Sequence, residues 1–468
     1  MKTVKPRRSR LQQFLNNPSR ALWTLALPIM AGIGIQTLYN LVDMIFIGRL
    51  KGHGIAAVAF NMPLFFLVLG LTMGLGSGVT SAIAQFIGAK DKVNADNAAE
   101  HALMMGLVIS TILASIGLIY GREILAMLGA TAELLPLSWS YLQVICLGLP
   151  FMVFSAFFRS ILAGEGDMQF PMIVAALGTL LNIILDPIFI FVLELGVRGA
   201  AVATVISQAC VFAIFVFMLF VKEHSYITFR LRDFSFSGHI LGSIIRIGLP
   251  ASMSMIIMSI GQGIFNKILI SYSPETVAAY QIGGRVDMLI FLPIMSIAAA
   301  LMTIVGMFFG AREYGKLKFI VRYGMLRSVF ITLLTSATVF ILAPVLVRIF
   351  TPVKEIQEMA QTYLRLIALV YPLIAVGMTS GRVLQGLGRG LPLLVITSVR
   401  VLLVSSFLAW MAAFVFHKPI EWVWYSMMTA TVVSATISLT WVRWSFKRLP
   451  VEAPQTLPPM EPEQMLLG

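Results

Sequence analysis

Residues 21–48 read ALWTLALPIMAGIGIQTLYNLVDMIFIG, twenty-eight positions with a single charge, Asp43. A helix of about 20 apolar residues crosses a bilayer core, so this stretch is long enough to span one. Its apolar residues do not alternate with polar ones as barrel strands do over about ten residues. Gln36, Tyr39, Asn40 and Asp43 recur at i, i+3, i+4 and i+7, which places them on one helix face. An intramembrane carboxylate costs about 2.5–3.5 kcal/mol on insertion scales and marks function by default.

Outward from this stretch, similar runs recur over 54–86, 98–120, 134–162, 170–193, 197–221, 242–272, 275–309, 319–342, 357–385, 391–415 and 420–442. The spacing predicts twelve transmembrane helices and an all-α polytopic membrane protein. Composition agrees: of 468 residues 58% are hydrophobic and 12% charged, against roughly 25% charged in soluble proteins. An ordinary soluble enzyme is excluded. Two cysteines, Cys146 and Cys210, make neither a disulfide framework nor a metal signature. The chain has no Asp-x-x-Asp pair and only five histidines, which argues against a membrane enzyme with metal-dependent pyrophosphate chemistry. No cofactor or resident metal is expected.

The net charge of +13 would suggest nucleic acid in a soluble protein. Here the loops account for it. With the N-terminus inside, nineteen Lys and Arg fall on the inner segments and seven on the outer loops. The positive-inside rule then puts both termini in the cytoplasm and the chain in the cell's inner (plasma) membrane, with lipid rather than nucleic acid around it. The longest internal loop divides six helices from six. The organisation expected is an N-terminal segment 1–20, a first lobe 21–221, a cytoplasmic loop 222–241, a second lobe 242–446 and a disordered Pro-rich tail 447–468.

The halves repeat at an offset of 222. Leu27-Pro28 recurs as Leu249-Pro250, Ala56-Ala57 as Ala278-Ala279, and Gly88-Ala89-Lys90 as Gly310-Ala311-Arg312. Tyr141-Leu142 recurs as Tyr363-Leu364, Pro150 as Pro372, and Gly164 and Gly166 as Gly386 and Gly388. Equal helix counts give the two repeats one orientation, a parallel arrangement typical of secondary transporters.

The repeat fails where polar residues enter the helices. Asp43 corresponds to Phe265, Asp186 to Leu408 and Asn182 to Val404. A scaffold requirement would appear in both halves, so a polar cluster in one lobe points to function. Asn182 and Asp186 lie at i and i+4 on the fifth helix, and Thr204 on the sixth can reach the same depth. Such an oxygen-rich cluster can hold a proton, since two crowded carboxylates in a desolvated site resist double ionisation, or it can coordinate Na⁺. Pro28 removes a backbone hydrogen bond in helix 1 and permits a hinge there. In the second lobe Lys267 and Asp287 are expected to form a neutralising ion pair. Met253, Met255, Met258, Met288, Met295, Met302 and Met307 run along the seventh and eighth helices, where thioethers adapt to varied ligands.

Four segments together resemble the MATE (multidrug and toxic compound extrusion) family: residues 25–60, AQFIGAKDK (84–92), LAGEGDMQFPM (162–172) and LLNIILDPIFIF (180–191). The resemblance spans about residues 15–446 and looks closest to the DinF-like branch. It implies a V-shaped cleft between two six-helix bundles and antiport of cationic or amphipathic organic compounds against H⁺ or Na⁺. It also implies a cation site at Asp43, Asn182, Asp186 and Thr204, with Gln36, Tyr39 and Asn40 lining the cavity. The NorM-like branch instead carries acids in helices 7 and 10, where this chain has Lys267 and, at the start only, Glu358. The rival function is a lipid-linked oligosaccharide flippase, or export of an endogenous metabolite; Arg285 and Arg400 speak for the flippase. The chain is expected to act as a monomer.

Overall fold

Inside a bilayer each backbone polar group must find its partner within the protein, and a helix satisfies this segment by segment. The described residues of the computed structural model accordingly form helices and no strand. They are residues 9–49, 53–229 and 234–450, and the side chains of 38–53 and 55 lie outside the description. A short helix, Leu11–Asn16, precedes twelve helical spans. These are α1 (Pro18–Arg49), α2 (Ala56–Gly88), α3 (Lys92–Met127), α4 (Leu135–Glu165), α5 (Gln169–Val192) and α6 (Gly196–Val221) in the first lobe. The second lobe holds α7 (Gly238–Ile270), α8 (Pro274–Gly310), α9 (Tyr314–Phe350), α10 (Lys354–Ala368 and Tyr371–Gly386), α11 (Leu391–Val415) and α12 (Glu421–Lys447). Among the described residues nine spans, α2 to α9 and α11, are long and apolar enough to cross a membrane, and α10 does so as two pieces bent by 57°.

Several helices overrun the apolar stretches. α3 has 36 residues and starts at Lys92 rather than 98, because Asp91 caps it by accepting from Asn94 N at 3.1 Å. α9 has 37 residues and runs from 314 to 350 rather than 319 to 342. At 1.5 Å per residue such a helix is about 55 Å long, well beyond a core of about 30 Å. Hydropathy sees only the embedded part, whereas helical hydrogen bonding continues into the polar flanks. α7 likewise begins inside the expected loop, at Gly238, and α12 runs to Lys447. The expected tail beyond 450 lies outside the described residues.

The repeat is visible in the backbone. Gly166 and Gly388, 222 apart, both take left-handed φ, +80° and +82°, where glycine has no Cβ penalty. Lys90 and Arg312, also 222 apart, take +60° and +59°. The lobes cross through equivalent pairs: α1 packs on α8 and α2 on α7, while α2 and α8 meet each other.

One hydrophobic core spans both lobes at the end that carries the N-terminus. It runs from Leu22 and Val79 to Leu301, Val305 and Leu384. At the opposite end each lobe has its own core, around Leu142 and Leu149 in the first and around Tyr363 and Trp424 in the second. The lobes are thus joined at one end and separate at the other, the V of the expected cleft. The short helix Leu11–Asn16 closes the joined end: Phe14 is buried against Gly166, and Arg10 pairs with Asp167 at 3.1 Å.

The segment between the lobes is strapped to the first lobe. Glu165 accepts from Ser225 Oγ and from the Tyr226 and Ile227 amides, at 2.9 and 3.3 Å for the amides. Asp96 accepts from Thr228 N at 3.0 Å, and His101 Nε2 from Ser237 N at 3.0 Å. Ser237 in turn caps α7 by accepting from Ile240 N. Burial and the neighbouring carboxylates Asp96 and Glu165 push the Tyr226 phenol upward, so it stays neutral beneath the Lys92 ammonium.

Two glycines set the junction. A Cβ on Gly88 would lie 2.1 Å from Met307 O, and one on Gly310 would lie 2.0 Å from Gln85 O. Residues 85 and 307 are themselves 222 apart, so the contact is self-complementary. Gly88→Ala and Gly310→Ala are each expected to destabilise the protein by about 1–3 kcal/mol through overpacking, read as a lowered thermal midpoint in detergent. Gly242→Ala, which meets nothing within 4 Å, should leave it unchanged or raised.

Candidate ion-coupling site

The first-lobe site is built on α5. Asn182 and Asp186, one helical turn apart, are 5% and 0% exposed. The Asn182 amide donates to Asp186 Oδ1 at 2.9 Å. Pro187 follows directly, and because it offers no N–H the helix continues as a π-helical turn, Ile188–Val192. The carboxylate therefore sits where the regular ladder ends, near the separated end of the lobe.

α5 packs between α1 and α6. Asp43, Tyr39 and Asn40 lie on α1, and their side chains fall outside the described residues. Gln36 is exposed on the same helix. Thr204 on α6 is half-buried and spends its proton on Ala200 O, at 2.9 Å, rather than on Asp186. Its oxygen remains an acceptor. Pro28 lies inside α1, which runs unbroken from Pro18 to Arg49. The structure thus brings Asn182 and Asp186 into contact and leaves Thr204 on the neighbouring helix without a hydrogen bond to them. Among the described residues no group of three His, Cys, Asp or Glu is arranged to hold a metal ion.

The second lobe departs from expectation. Lys267 is exposed and makes no ion pair with Asp287. Asp287 is 8% exposed and faces α10 instead, where its carboxylate accepts from Tyr363 OH at 2.6 Å and from Tyr371 OH. Opposite charge on adjacent helices suggested the pair, but helical phase turns Lys267 outward. Tyr363 and Tyr371 were not anticipated as partners. The available signal was Pro372, which marks a helix start just after the first piece of α10. Of the methionines, Met253, Met258, Met288 and Met295 are exposed while Met302 and Met307 are core.

The family model described as MatE matches residues 28–188 and 250–411, one block in each lobe. The chain belongs to the MATE family. It is 27% identical over 424 residues to the probable multidrug resistance protein NorM of Thermotoga maritima, covering 90% of this chain and 91% of that protein. It is 28% identical over 372 residues to the multidrug export protein MepA of Staphylococcus aureus, covering 79% and 82%. A solved structure described as the outward-facing conformation of a multidrug resistance MATE family transporter superposes with a TM-score of 0.89 at 34% identity, covering 96% of this chain and 99% of that one. The two-lobe MATE fold therefore applies to the whole described chain, and the protein is a multi-pass membrane transporter.

Within this MATE scaffold Asn182 and Asp186 should behave as one unit. A double-mutant cycle with Asn182→Ala and Asp186→Ala, read by thermal unfolding, is expected to show non-additivity of about 0.5–3 kcal/mol. Strictly additive losses would mean the contact carries no energy.

Proposed function

We propose that this chain exports cationic or amphipathic organic compounds by antiport, driven by inward movement of H⁺ or Na⁺ through the first lobe. The reading is carried by the buried Asn182–Asp186 pair on α5, beside the helix that bears Asp43, at positions where the second lobe has Val404 and Leu408. A polar pair retained in only one of two repeats costs insertion energy without serving the common scaffold. The export names of the relatives support the cargo class.

In this scheme Asp43 and Asp186 carry the coupling charge, Asn182 orients Asp186, and Thr204 contributes an acceptor oxygen. Gln36, Tyr39 and Asn40 line the path, and Pro28 allows α1 to bend. The termini face the cytoplasm of a cell whose plasma membrane holds the protein as a monomer, so the joined end of the lobes is cytoplasmic and the open end external. Ion binding favours release of cargo outward, and ion loss to the cytoplasm resets the lobes. Ion and cargo must bias one conformational equilibrium in opposite senses for exchange to be coupled.

The test is efflux of a cationic dye from proteoliposomes under an imposed pH gradient without Na⁺. Wild type is expected to transport. Asp43→Asn and Asp186→Asn are each expected to lose roughly 10–100-fold in rate, the equivalent of a charged hydrogen bond worth about 1.5–3 kcal/mol. Transport only on adding Na⁺ would assign the site to sodium. No dye movement under either gradient would overturn the reading and favour the flippase.

A further inference from the structure

Pro150 and Pro372 are equivalent positions of the repeat, yet they behave differently. α4 runs unbroken through Pro150 from Leu135 to Glu165. α10 breaks at Leu369 and Val370, immediately before Tyr371 and Pro372, and its two pieces are bent by 57°. Proline alone therefore does not make the break. What distinguishes the second lobe is a carboxylate and a phenol: Asp287 stands where the first lobe has Phe65, and Tyr371 where it has Leu149.

These two residues meet across the break. Tyr363 belongs to the first piece of α10 and Tyr371 opens the second, and both hydroxyls donate to the one carboxylate of Asp287, each to its own oxygen. The Tyr363 ring lies directly over Gly283, one turn before Asp287 on α8, where a Cβ would come within 2.3 Å of it. The carbonyl of Ala368, freed by the break, is taken by Ser336 Oγ of α9. The bend is thus held by a tie across both pieces rather than by steric exclusion alone.

We propose that Asp287 is a proton-binding site in the second lobe, a latch that ties both pieces of α10 firmly while ionised and loosens its hold on them when it takes up a proton. An ionised carboxylate is acceptor-only and holds two phenols at once. A protonated one has a hydrogen to donate, so one phenol must turn from donor to acceptor, and the tie loses the charge that strengthened both bonds. The proton comes from water and adds to one carboxylate oxygen, and the site's charge rises by one.

The surroundings leave the charge of this carboxylate to be balanced by neutral groups. From α10 it faces Tyr363 and Tyr371, and on its own helix Tyr280 lies in electrostatic reach. Tyr280 is in turn in reach of Arg400 on α11. α12 contributes Trp424, whose ring packs on Tyr363 at 5.0 Å, and α9 contributes Ser336. On α7 Lys267 is exposed, as is Arg285 on α8. Among the described residues no cation lies at ion-pair distance, and a carboxylate buried in that way is the kind of group that exchanges a proton rather than staying charged at all pH. The inference concerns α10 and stands whether or not the first-lobe coupling site is correctly assigned.

Full-length protein in lipid nanodiscs would be followed by infrared difference spectroscopy and hydrogen–deuterium exchange between alkaline and acid pH. A protonated-carboxyl stretch that appears on acidification, is lost in Asp287→Asn and is shifted in Tyr363→Phe is expected. Peptides covering 363–373 should exchange faster in acid after correction for intrinsic rates. In Asp287→Asn they should exchange fast at both pH values. A carboxyl signal unaltered by Asp287→Asn would overturn the proposal. So would wild-type exchange at the break that ignores pH, which needs no variant to fold and would make Asp287 a fixed strut.

Discussion

The two lobes touch backbone to backbone at one end, where Gly88 lies on the Met307 carbonyl and Gly310 on that of Gln85. Much of the architecture follows from this contact. No side chain fits there, so the helices approach to the limit of their backbones, and the contact is the same from both sides because 85 and 307, like 88 and 310, are repeat partners. A shared hydrophobic core forms around it. Gln85 Nε2 adds a hydrogen bond to Gly386 O at 2.8 Å, and Ser81 Oγ one to Gln385 O at 2.7 Å, both across the lobes. The far ends each have a core of their own. Close-packed interfaces tend to have discrete arrangements rather than continuous ones. A self-complementary seam beside two self-sufficient half-cores has the form that rocking of parallel repeats requires.

On this symmetric frame the polar chemistry is asymmetric. The first lobe puts a carboxylate and an amide on α5, and the second places a carboxylate on α8 between two phenols of α10. Asn182, Asp186, Asp287 and Tyr371 stand where the other repeat has Val404, Leu408, Phe65 and Leu149, whereas Tyr363 keeps the tyrosine of its partner position, Tyr141. The pairing also differs in kind. Asn182 and Asp186 share one helix, so their contact survives motion of that helix as a body. Asp287 holds two pieces of a different helix, so its contact depends on how those pieces are arranged.

Much of this was legible in the sequence because membrane helices announce themselves by apolar length, and because a repeat offset of 222 leaves Leu-Pro, Gly-Ala and Gly-x-Gly pairs in register. The Asn182–Asp186 contact was legible for the same reason: i and i+4 on one helix are neighbours whatever surrounds them. What the sequence did not carry was rotational phase between helices. Lys267 and Asp287 looked complementary by sign and depth, yet one points outward and the other toward α10. The break in α10 was hidden because apolar character runs through it, and Pro372 has a twin, Pro150, that breaks nothing. Helix ends at Lys92 and Phe350 were missed because polar flanks continue the helix after the hydropathy signal stops.

The placement of the carboxylates bears on how exchange would be coupled. Asp186 lies in a lobe interior near the separated end, not on the seam. Under the proposed function, an ion bound there would not touch the interface whose rearrangement it favours. Its influence has to pass through a change in the lobe's own helices, and α1 suits that role: it packs on α5 within its lobe and on α8 across the seam. A change in α1 that began beside Asp186 would reach the junction through Leu22, Leu25 and Ile29, all part of the shared core. In the second lobe the equivalent connection is α7, which packs on α2, whereas Asp287 acts on α10. The two proposed sites would then act through different helices, α1 by way of Leu22, Leu25 and Ile29, and α10 by way of the Gln385 and Gly386 carbonyls that meet Ser81 and Gln85. Under the proposed readings the broken symmetry gives each lobe its own route from a buried carboxylate to the common seam.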